Sequence, residues 1–250
     1  MNISIKHPQF CHEIGQRKNN EDFIFPAPAA ATDANRLFIV CDGMGGHEDG
    51  EIASKTATEV ISEFWSANPQ QPDAAVKVKL ALAAAIHKMD LLVTDSNANH
   101  NMGTTMTLAS IGTESILVAH VGDSRIYQIR PGEGIIYQSK DHSLVQEWVD
   151  AGFLTLEEAR THPRSNIITQ VVQPKGLSSI HPEVAILNDI QEGDFLFLCT
   201  DGITESIDDP LLVEIISGEA SDEEKMNRIK QICFENSKDN HSAYLIHLTQ

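Results

Sequence analysis

The sequence predicts an α+β fold, an α-β-β-α sandwich in which two antiparallel sheets pack face to face and a helix pair covers each outer face. Short apolar, β-prone runs fall into two groups along the 250 residues, and two amphipathic helical segments follow each group. No Pro/Gly/Ser-rich linker or abrupt change in composition divides the chain. These observations favour a single domain over residues 1–250, with a flap inserted at about residues 141–182.

The first group of elements occupies the N-terminal part of the chain. Residues 3–25 predict a strand, a turn and a second strand, residues 26–35 a Pro/Ala-rich loop, and residues 36–41 a buried strand. Apolar residues at helical spacing then predict helices over about residues 51–65 and 73–93. Two helices therefore cover this part of the fold.

The middle of the chain predicts a meander followed by an insertion. Over residues 104–139, short β-like runs alternate with turn signals, which is typical of antiparallel strands. Residues 141–182 contain two short helical pieces, 144–151 and 156–160, and a short strand, 167–172. We interpret this segment as the flap.

A second group of elements ends the chain. The apolar run 194–200 predicts a buried strand, and residues 243–249 predict the final strand. Between them, Asp209-Pro210 marks the start of one helix. A Ser-x-x-Glu capping box at residues 221–224 begins another.

The composition excludes several classes of function. The formal net charge is -18, whereas surfaces that bind nucleic acids need clustered cations. No apolar stretch is long enough to span a membrane, and the N-terminus lacks the apolar core of a signal peptide. The four cysteines show no C-x-x-C spacing, so a zinc site or disulfide framework is not expected. We expect a cytoplasmic monomer that binds neither nucleic acid nor membrane.

Four carboxylates stand where apolar strands end. Asp42 and Asp201 each follow such a run and precede a glycine, Asp123 follows a third run, and Asp239 stands just before the last. A single Asp-Gly pair is more often a turn than a ligand. Four acids at strand ends converge in one core and repel one another unless protons or hard cations neutralise them. The pattern predicts a shared site for Mg²⁺ or Mn²⁺ in a metal-ion enzyme.

Other common sites are excluded by spacing. Glu51 stands where a phosphate-binding loop requires Lys, so the charge is reversed. In a calcium loop that began at Asp42, Met44 and Gly46 would take ligand positions, and neither can coordinate through its side chain. The H-E-x-x-H and G-x-S-x-G motifs are absent from the sequence.

Seven short motifs follow one another along the chain. They are Arg17-x-x-Asn20-Glu21-Asp22, Val40-Cys41-Asp42-Gly43-Met44-Gly45-Gly46, Gly103-Thr104-Thr105, Gly122-Asp123-Ser124-Arg125, Asp141-His142-Ser143, Thr200-Asp201-Gly202 and Asp239-Asn240-x-Ser242. In this order they resemble the metal-dependent serine/threonine protein phosphatases of type 2C, the PPM family, in their bacterial form. The resemblance covers about residues 13–248, and the ordered set is far more specific than any one motif.

The resemblance implies a metal cleft at one edge of the paired sheets, with two Mn²⁺ or Mg²⁺ ions. Asp42 would bridge both ions, the Gly43 carbonyl would bind one, and Asp201 and Asp239 would bind the other. Asp123, together with Asp201, would form a weaker third site.

The resemblance also assigns roles around the ions. Arg17 would grip the substrate phosphate, and Glu21 and Asp22 would hold waters on the ions or support their ligands. From the residues alone, Arg17 could instead form a surface ion pair, and Glu21-Asp22 could cap a turn. Asp123 could equally belong to a simple turn. Asn240 is expected to fix the turn that holds Asp239, and Arg125, Thr104 and Thr105 to make scaffold hydrogen bonds.

The chain departs from the animal and plant pattern at Met44, where those phosphatases carry a histidine proposed as the general acid. Methionine cannot donate a proton. The available candidates are His47, His120, His142 and His162, and a lone histidine is more often structural.

The expected activity is hydrolysis of phosphoserine and phosphothreonine on proteins by direct attack of a metal-activated water, without a phosphoenzyme. It would oppose a serine/threonine kinase. Two alternatives remain open from the sequence: a catalytically silent pseudophosphatase that serves as a signalling module, and a phosphomonoesterase of small molecules.

Overall fold

The computed structural model describes residues 2–45, 49–71, 73–95, 102–176 and 180–249. The strands in this part of the chain are β1 (Ser4–Ile5), β2 (Gln9–Glu13), β3 (Asp22–Phe25), β4 (Leu37–Met44), β5 (Gly103–Thr104), β6 (Met106–Ile111), β7 (Ile116–Val121), β8 (Arg125–Arg130), β9 (Gly134–Gln138), β10 (Glu183–Leu187), β11 (Phe195–Cys199) and β12 (His241–Thr249). The helices are α1 (Asp49–Ala67), α2 (Ala74–Asp95), α3 (Leu144–Asp150), α4 (Leu156–Arg160), α5 (Asp201–Thr204), α6 (Asp209–Ser217) and α7 (Asp222–Asn236).

The strands form two antiparallel sheets. The first sheet has the order β1-β12-β11-β8-β9, with β2 also paired to β12. The second has the order β10-β7-β6-β4-β3, with β5 paired to the end of β4. Each sheet therefore combines strands from distant parts of the sequence. The strands of the predicted meander divide between the sheets, with β6 and β7 in the second and β8 and β9 in the first.

Alternating side chains along the central strands create three apolar layers. On β11, Leu196 and Leu198 point between the sheets, whereas Phe195 and Phe197 point toward α6 and α7. The second sheet packs its outer face against α1 and α2, with Ile61 among the buried residues. Because successive side chains on a strand point to opposite faces, a fully buried strand must be apolar on both.

The helices begin where the sequence supplies caps. The Ser221 side chain accepts from the Glu224 backbone N–H, and the Glu224 carboxylate accepts from the Ser221 backbone N–H. The Asp208 carboxylate accepts from the Leu211 N–H and caps α6, which begins at Asp209 as predicted. The predicted fold class, an α-β-β-α sandwich with a flap insertion, is confirmed.

The main differences from the predicted elements lie at sheet edges. The predicted strand over residues 167–172 is wrong, because its residues make only isolated bridges to Ser143 and Thr104 in the described structure. The strand β10 was not predicted; it pairs with β7 at the edge of the sheet, and its partly exposed residues lack a clear alternation. The strand β4 continues past its predicted end at residue 41 to residue 44, because β3 and β5 pair with its end.

Among the helices that the structure describes, none combines the length and the hydropathy needed to span a membrane.

Candidate active site

The predicted acids approach one another at one edge of the two sheets. Asp22 on β3 lies directly opposite Asp42 on β4. Asp201 follows β11 at the start of α5, Asp239 precedes β12, and Asp123 lies in the turn between β7 and β8. The charges of Asp22, Asp123, Asp201 and Asp239 each raise the pKa of at least one other member, and Asp42 shares a side-chain hydrogen bond with Asp201. The five carboxyl groups therefore form one cluster.

Asp42 and Asp201 form the centre of this cluster, because their carboxyl groups interact directly. Burial raises the pKa of Asp42 well above its usual range, and the charges of Asp22 and Asp201 raise it further. Burial is also the main cause that raises the pKa of Asp201. Without a cation, a proton shared within this pair therefore neutralises part of the charge.

Two carboxylate oxygens in this cluster are buried and lack a hydrogen-bond partner in the part of the chain that the structure describes: Asp22 Oδ1 and Asp201 Oδ1. The other Asp22 oxygen, Oδ2, accepts from Thr200 Oγ1 at 3.0 Å. Asp22 is only 2% exposed, and burial raises its pKa to about 8. Buried acceptors are normally satisfied, so these oxygens fit a hard divalent cation or its waters.

Gly43 stands where the backbone of three elements meets. Its N–H donates to the Glu21 carbonyl at 3.0 Å, and Ser54 Oγ donates to the same carbonyl at 2.5 Å. A Cβ atom at Gly43 would lie 2.1 Å from the Gly50 carbonyl oxygen at the start of α1. Glycine at this position thus allows α1 to pack directly against the acidic end of β4.

Arg17 and Glu21 lie at the rim of the acidic cluster. Arg17 Nη2 contacts Asp239 Oδ2 at 2.5 Å, and this hydrogen bond raises the pKa of the guanidinium. The Arg17 side chain is 54% exposed, so it remains open to solvent. Burial raises the pKa of Glu21, and the positive charge of Arg17 partly opposes that shift. The ion pair that the sequence left open for Arg17 is present, and its partner, Asp239, is a predicted metal ligand.

Asn240 joins the Arg17 loop to the turn that carries Asp239. Its Nδ2 donates to the carbonyls of Ile14 at 2.7 Å and Asn19 at 2.9 Å. Its Oδ1 accepts from the Glu21 N–H at 2.8 Å. Asn240 therefore holds both segments at the cleft.

The turn that carries Asp123 is anchored on both sides. Burial raises the pKa of Asp123 to about 8, with further contributions from Asp201 and Asp141. Arg125 donates to both carboxylate oxygens of Asp141, each at 2.7 Å. Thr105 Oγ1 accepts from the Asp42 N–H at 3.0 Å, so the threonine that was expected to support the scaffold contacts the backbone of a predicted ligand.

A cavity of about 850 Å³ extends from Asp123 and Asp201 between the flap helices and α5 and α6. The cationic side chains of Arg160, from the flap, and Lys238 are among the residues that line it. Glu205 also lines this cavity, and burial, Asp201 and Asp239 raise its pKa. The sequence analysis missed Glu205; its position four residues after Asp201, across a helical turn, is the signal that could have identified it.

The candidate general acids occupy different places. His162 packs edge-on against Trp148 within the flap, and His47 lies outside the described residues. His120 and His142 stack on each other, and with Glu183 they bring ligand-type atoms within 4.8 Å of one another. None of the clustered aspartates belongs to this second group, which the sequence analysis did not identify because its members are far apart in the chain.

Comparison with known proteins gives the class of the protein. A family model described as "Protein phosphatase 2C" matches residues 12–231. The chain belongs to the protein phosphatase 2C family, which confirms the resemblance carried by the seven motifs.

Relatives of known type agree with this assignment. The chain is 35% identical over 212 residues to the protein phosphatase PhpP of Streptococcus pneumoniae, covering 83% of this chain and 82% of PhpP. Its structure is similar to that of the Mycobacterium tuberculosis serine/threonine phosphatase PstP/Ppp, with a TM-score of 0.85, 27% identity and coverage of 99% of this chain and 100% of the other. A PstP catalytic domain crystallised with 2 manganese ions gives a TM-score of 0.81 at 26% identity, with the same coverage. The chain is a serine/threonine protein phosphatase, and phosphoproteins are its substrates.

Proposed function

We propose that this phosphatase holds two hard divalent cations, Mn²⁺ or Mg²⁺, on the Asp42, Asp201 and Asp239 carboxylates and the Gly43 carbonyl. The observation that carries the proposal is the pair of buried oxygens on Asp22 and Asp201 that have no hydrogen-bond partner among the described residues. They lie in a cluster whose carboxyl pKa values are raised by burial and mutual repulsion. Bound cations would offset both the desolvation of the carboxylates and the repulsion between them. The manganese ions in the PstP structure support the same choice of metal.

The ions, when bound, would supply an activated water and neutralise phosphate charge at the cleft. The side chains of the protein then divide the remaining tasks. Asp42 and Asp201 would be the central ligands because their carboxyl groups already interact, and Glu21 and Asp22 would accept hydrogen bonds from water around the ions. Arg17 presents planar, paired N–H donors at the rim, which suits the oxygens of a phosphate ester.

We also propose a third, weaker cation between Asp123 and Asp201. Asp123 lies in the same acidic cluster and at the start of the 850 Å³ cavity. It adds a single carboxylate, so an ion there would keep most of its waters.

Phosphoserine and phosphothreonine in proteins fit this cleft better than small metabolites, because the cavity extends along the flap rather than closing around the acids. Such substrates are made by serine/threonine kinases, so we propose that the enzyme opposes one. The presence of Arg17, Asp42, Asp201 and Asp239 together argues against a silent pseudophosphatase.

Phosphate release from a phosphothreonine peptide tests the proposal. We expect turnover with Mn²⁺ or Mg²⁺, its loss after chelation and its recovery when the ion is returned. A small phosphomonoester metabolite, compared at equal concentration, should have the lower kcat/KM. Full turnover after exhaustive chelation would contradict the metal mechanism, and a preference for the metabolite would contradict the choice of substrate.

A further inference from the structure

Two histidines lie beside the turn that carries Asp123. His120 is the penultimate residue of β7 and is 1% exposed. Its ring stacks on His142 with centroids 4.6 Å apart and an angle of 15° between the planes. Glu183 lies opposite His120 in the pairing of β10 with β7, and the three side chains bring ligand-type atoms within 4.8 Å. This group could be a metal site, or it could hold the turn that carries Asp123 in place. Its hydrogen bonds distinguish the two.

The hydrogen bonds oppose a metal site. His120 Nε2 lies 2.6 Å from the Lys140 carbonyl, which can only accept, so the proton of His120 is on Nε2. The Gly122 N–H donates to His142 Nδ1 at 3.1 Å, so the proton of the neutral His142 ring is on its Nε2. Among the described residues of this group, Nδ1 of His120 alone keeps an imidazole lone pair without a partner, and one such nitrogen with one carboxylate is fewer ligands than a typical transition-metal site has.

His142 instead holds Gly122 through two hydrogen bonds. Besides the bond to Nδ1, the His142 backbone N–H donates to the Gly122 carbonyl at 2.9 Å. Gly122 has a φ of +96°, and a Cβ atom there would lie 2.6 Å from Thr105 Cγ2. The turn is therefore confined between His142 and Thr105, and the next residue is Asp123.

The residues after Asp123 are anchored as well. Ser124 Oγ and Thr105 Oγ1 are 2.7 Å apart, and Arg125 forms its paired hydrogen bonds with Asp141. The adjacent residues Asp141 and His142 thus fix the turn on both sides of Asp123.

His142 lies at the start of the flap and also contacts a later part of it. Its carbonyl accepts from the Thr169 N–H at 2.8 Å, and the neighbouring Ser143 forms a bridge with Ile168. One residue therefore connects the flap backbone to the turn that carries Asp123.

We infer that His142 is a positioning residue that fixes Asp123 through Gly122 and couples its position to the flap. The inference depends on the proposed role of Asp123 as the ligand of the weaker cation. Loss of the Nδ1 acceptor leaves the Gly122 N–H without its partner and frees the turn. Partners that orient a ligand typically contribute 10-fold or more to metal affinity, so we expect the weak ion to be held about 10-fold less tightly.

A matched pair of variants tests this inference. In His142→Asn the side-chain oxygen can take the place of Nδ1, whereas in His142→Gln it lies nearer the place of Nε2. Mn²⁺ binding to the full chain is measured by calorimetry and by electron paramagnetic resonance, together with the Mn²⁺ concentration that gives half-maximal phosphopeptide hydrolysis. We expect near-parental binding in His142→Asn and weaker binding of the last ion in His142→Gln. His87→Gln, on the exposed face of α2, is the control and should bind like the parent.

Asp123→Ala separates the possible failures. If it loses the weak binding step while a folded His142→Gln keeps parental binding, the positioning role is wrong and the role of Asp123 stands. If Asp123→Ala itself binds Mn²⁺ like the parent, both assignments fall. Equal loss of thermal stability in the two His142 variants without any change in Mn²⁺ binding would indicate a purely structural residue. Tight binding of one Zn²⁺ that Glu183→Gln abolishes would show that the histidine group is a metal site instead.

Discussion

Arg17 and Asp239 form a direct ion pair at the rim of the acidic cleft, with 2.5 Å between Nη2 and Oδ2. One partner is the proposed phosphate-binding cation and the other a proposed metal ligand. A cation on Asp239 would compete with Arg17 for the same carboxylate oxygen. The ion pair therefore holds the guanidinium beside the proposed phosphate-binding position.

Arg17→Ala should raise the KM for a phosphopeptide more than it lowers kcat on a substrate with a good leaving group. The guanidinium would contact phosphate oxygens in both the ground and the transition state, and loss of such charged hydrogen bonds corresponds to about a tenfold change. Steady-state kinetics at saturating Mn²⁺ measure the effect. Arg36→Ala, at an exposed position, is the control. An unchanged KM would leave Arg17 as a surface ion pair only.

Asp201→Asn and Asp239→Asn should each reduce turnover by several orders of magnitude, because ligands of the proposed ions are lost. The fold should survive, and metal-free Asp201→Asn should melt at a higher temperature than the parent, since one repelling charge is removed from a buried cluster. Calorimetric melting and phosphate release provide the two measurements, with Glu219→Gln as an exposed control. A folded Asp239→Asn protein with near-parental rates would show that the ligand assignment is wrong.

Asp123→Ala should retain the two tighter ions, lower turnover and raise the Mn²⁺ concentration needed for activity. The reason is that the proposed third ion shares Asp201 with the other two and gains only one carboxylate of its own. Calorimetry and kinetics must be compared on the same preparation. Parental behaviour in both would mean that residues 122–125 form a turn without a catalytic role.

The sequence predicted the convergence of Asp42, Asp123, Asp201 and Asp239 because strand ends in a shared core must meet. It placed Asp42 after its strand, whereas β4 continues to Met44. That extension depends on pairing with β3 and β5, which are distant in sequence, and local patterns do not report such pairing.

The contacts of His142 could not be predicted from the sequence either. Gly122 and Thr169, its partners, lie 20 and 27 residues away, and no periodic pattern connects them. The edge strand β10 was not predicted for a related reason. Its side chains do not alternate regularly between buried and exposed positions. What the sequence predicts well is the order of buried elements and the residue types at their ends.

Gly43→Ala should destabilise the fold and weaken metal binding together. The added methyl group would lie 2.1 Å from the Gly50 carbonyl oxygen and 2.5 Å from that of Glu21, so α1 would have to shift away from the cleft. Such overpacking costs about 1–3 kcal/mol. Chemical denaturation and Mn²⁺ titration measure the two effects. Gly218→Ala, whose added methyl group would lie 3.4 Å from its nearest neighbours, is the control. A Gly43→Ala protein of parental stability would show that this close approach is not required.

The stability of the metal-free protein should fall as the pH rises from about 5 to 8. Burial raises the pKa values of Asp22 and Asp123 from 3.8 to about 8, so the folded chain keeps protons there that the unfolded chain has already released. Wherever the folded state binds more protons, raising the pH favours unfolding. Cations replace those protons, so the stabilisation by Mn²⁺ should grow over the same range.

Melting temperatures across this pH range, with chelator and with Mn²⁺, check the expected trend. The net charge of -18 could produce a similar slope through general repulsion, so the series is repeated at about 0.5 M KCl, where surface charges are screened. The buried carboxyls are screened far less, and Asp22→Asn should reduce the remaining slope because it removes one of the groups whose pKa is raised. A melting temperature in chelator that stays constant or rises between pH 5 and 8 would contradict the raised pKa values of Asp22 and Asp123. It would also contradict protonation of these carboxyls in the protein without added metal.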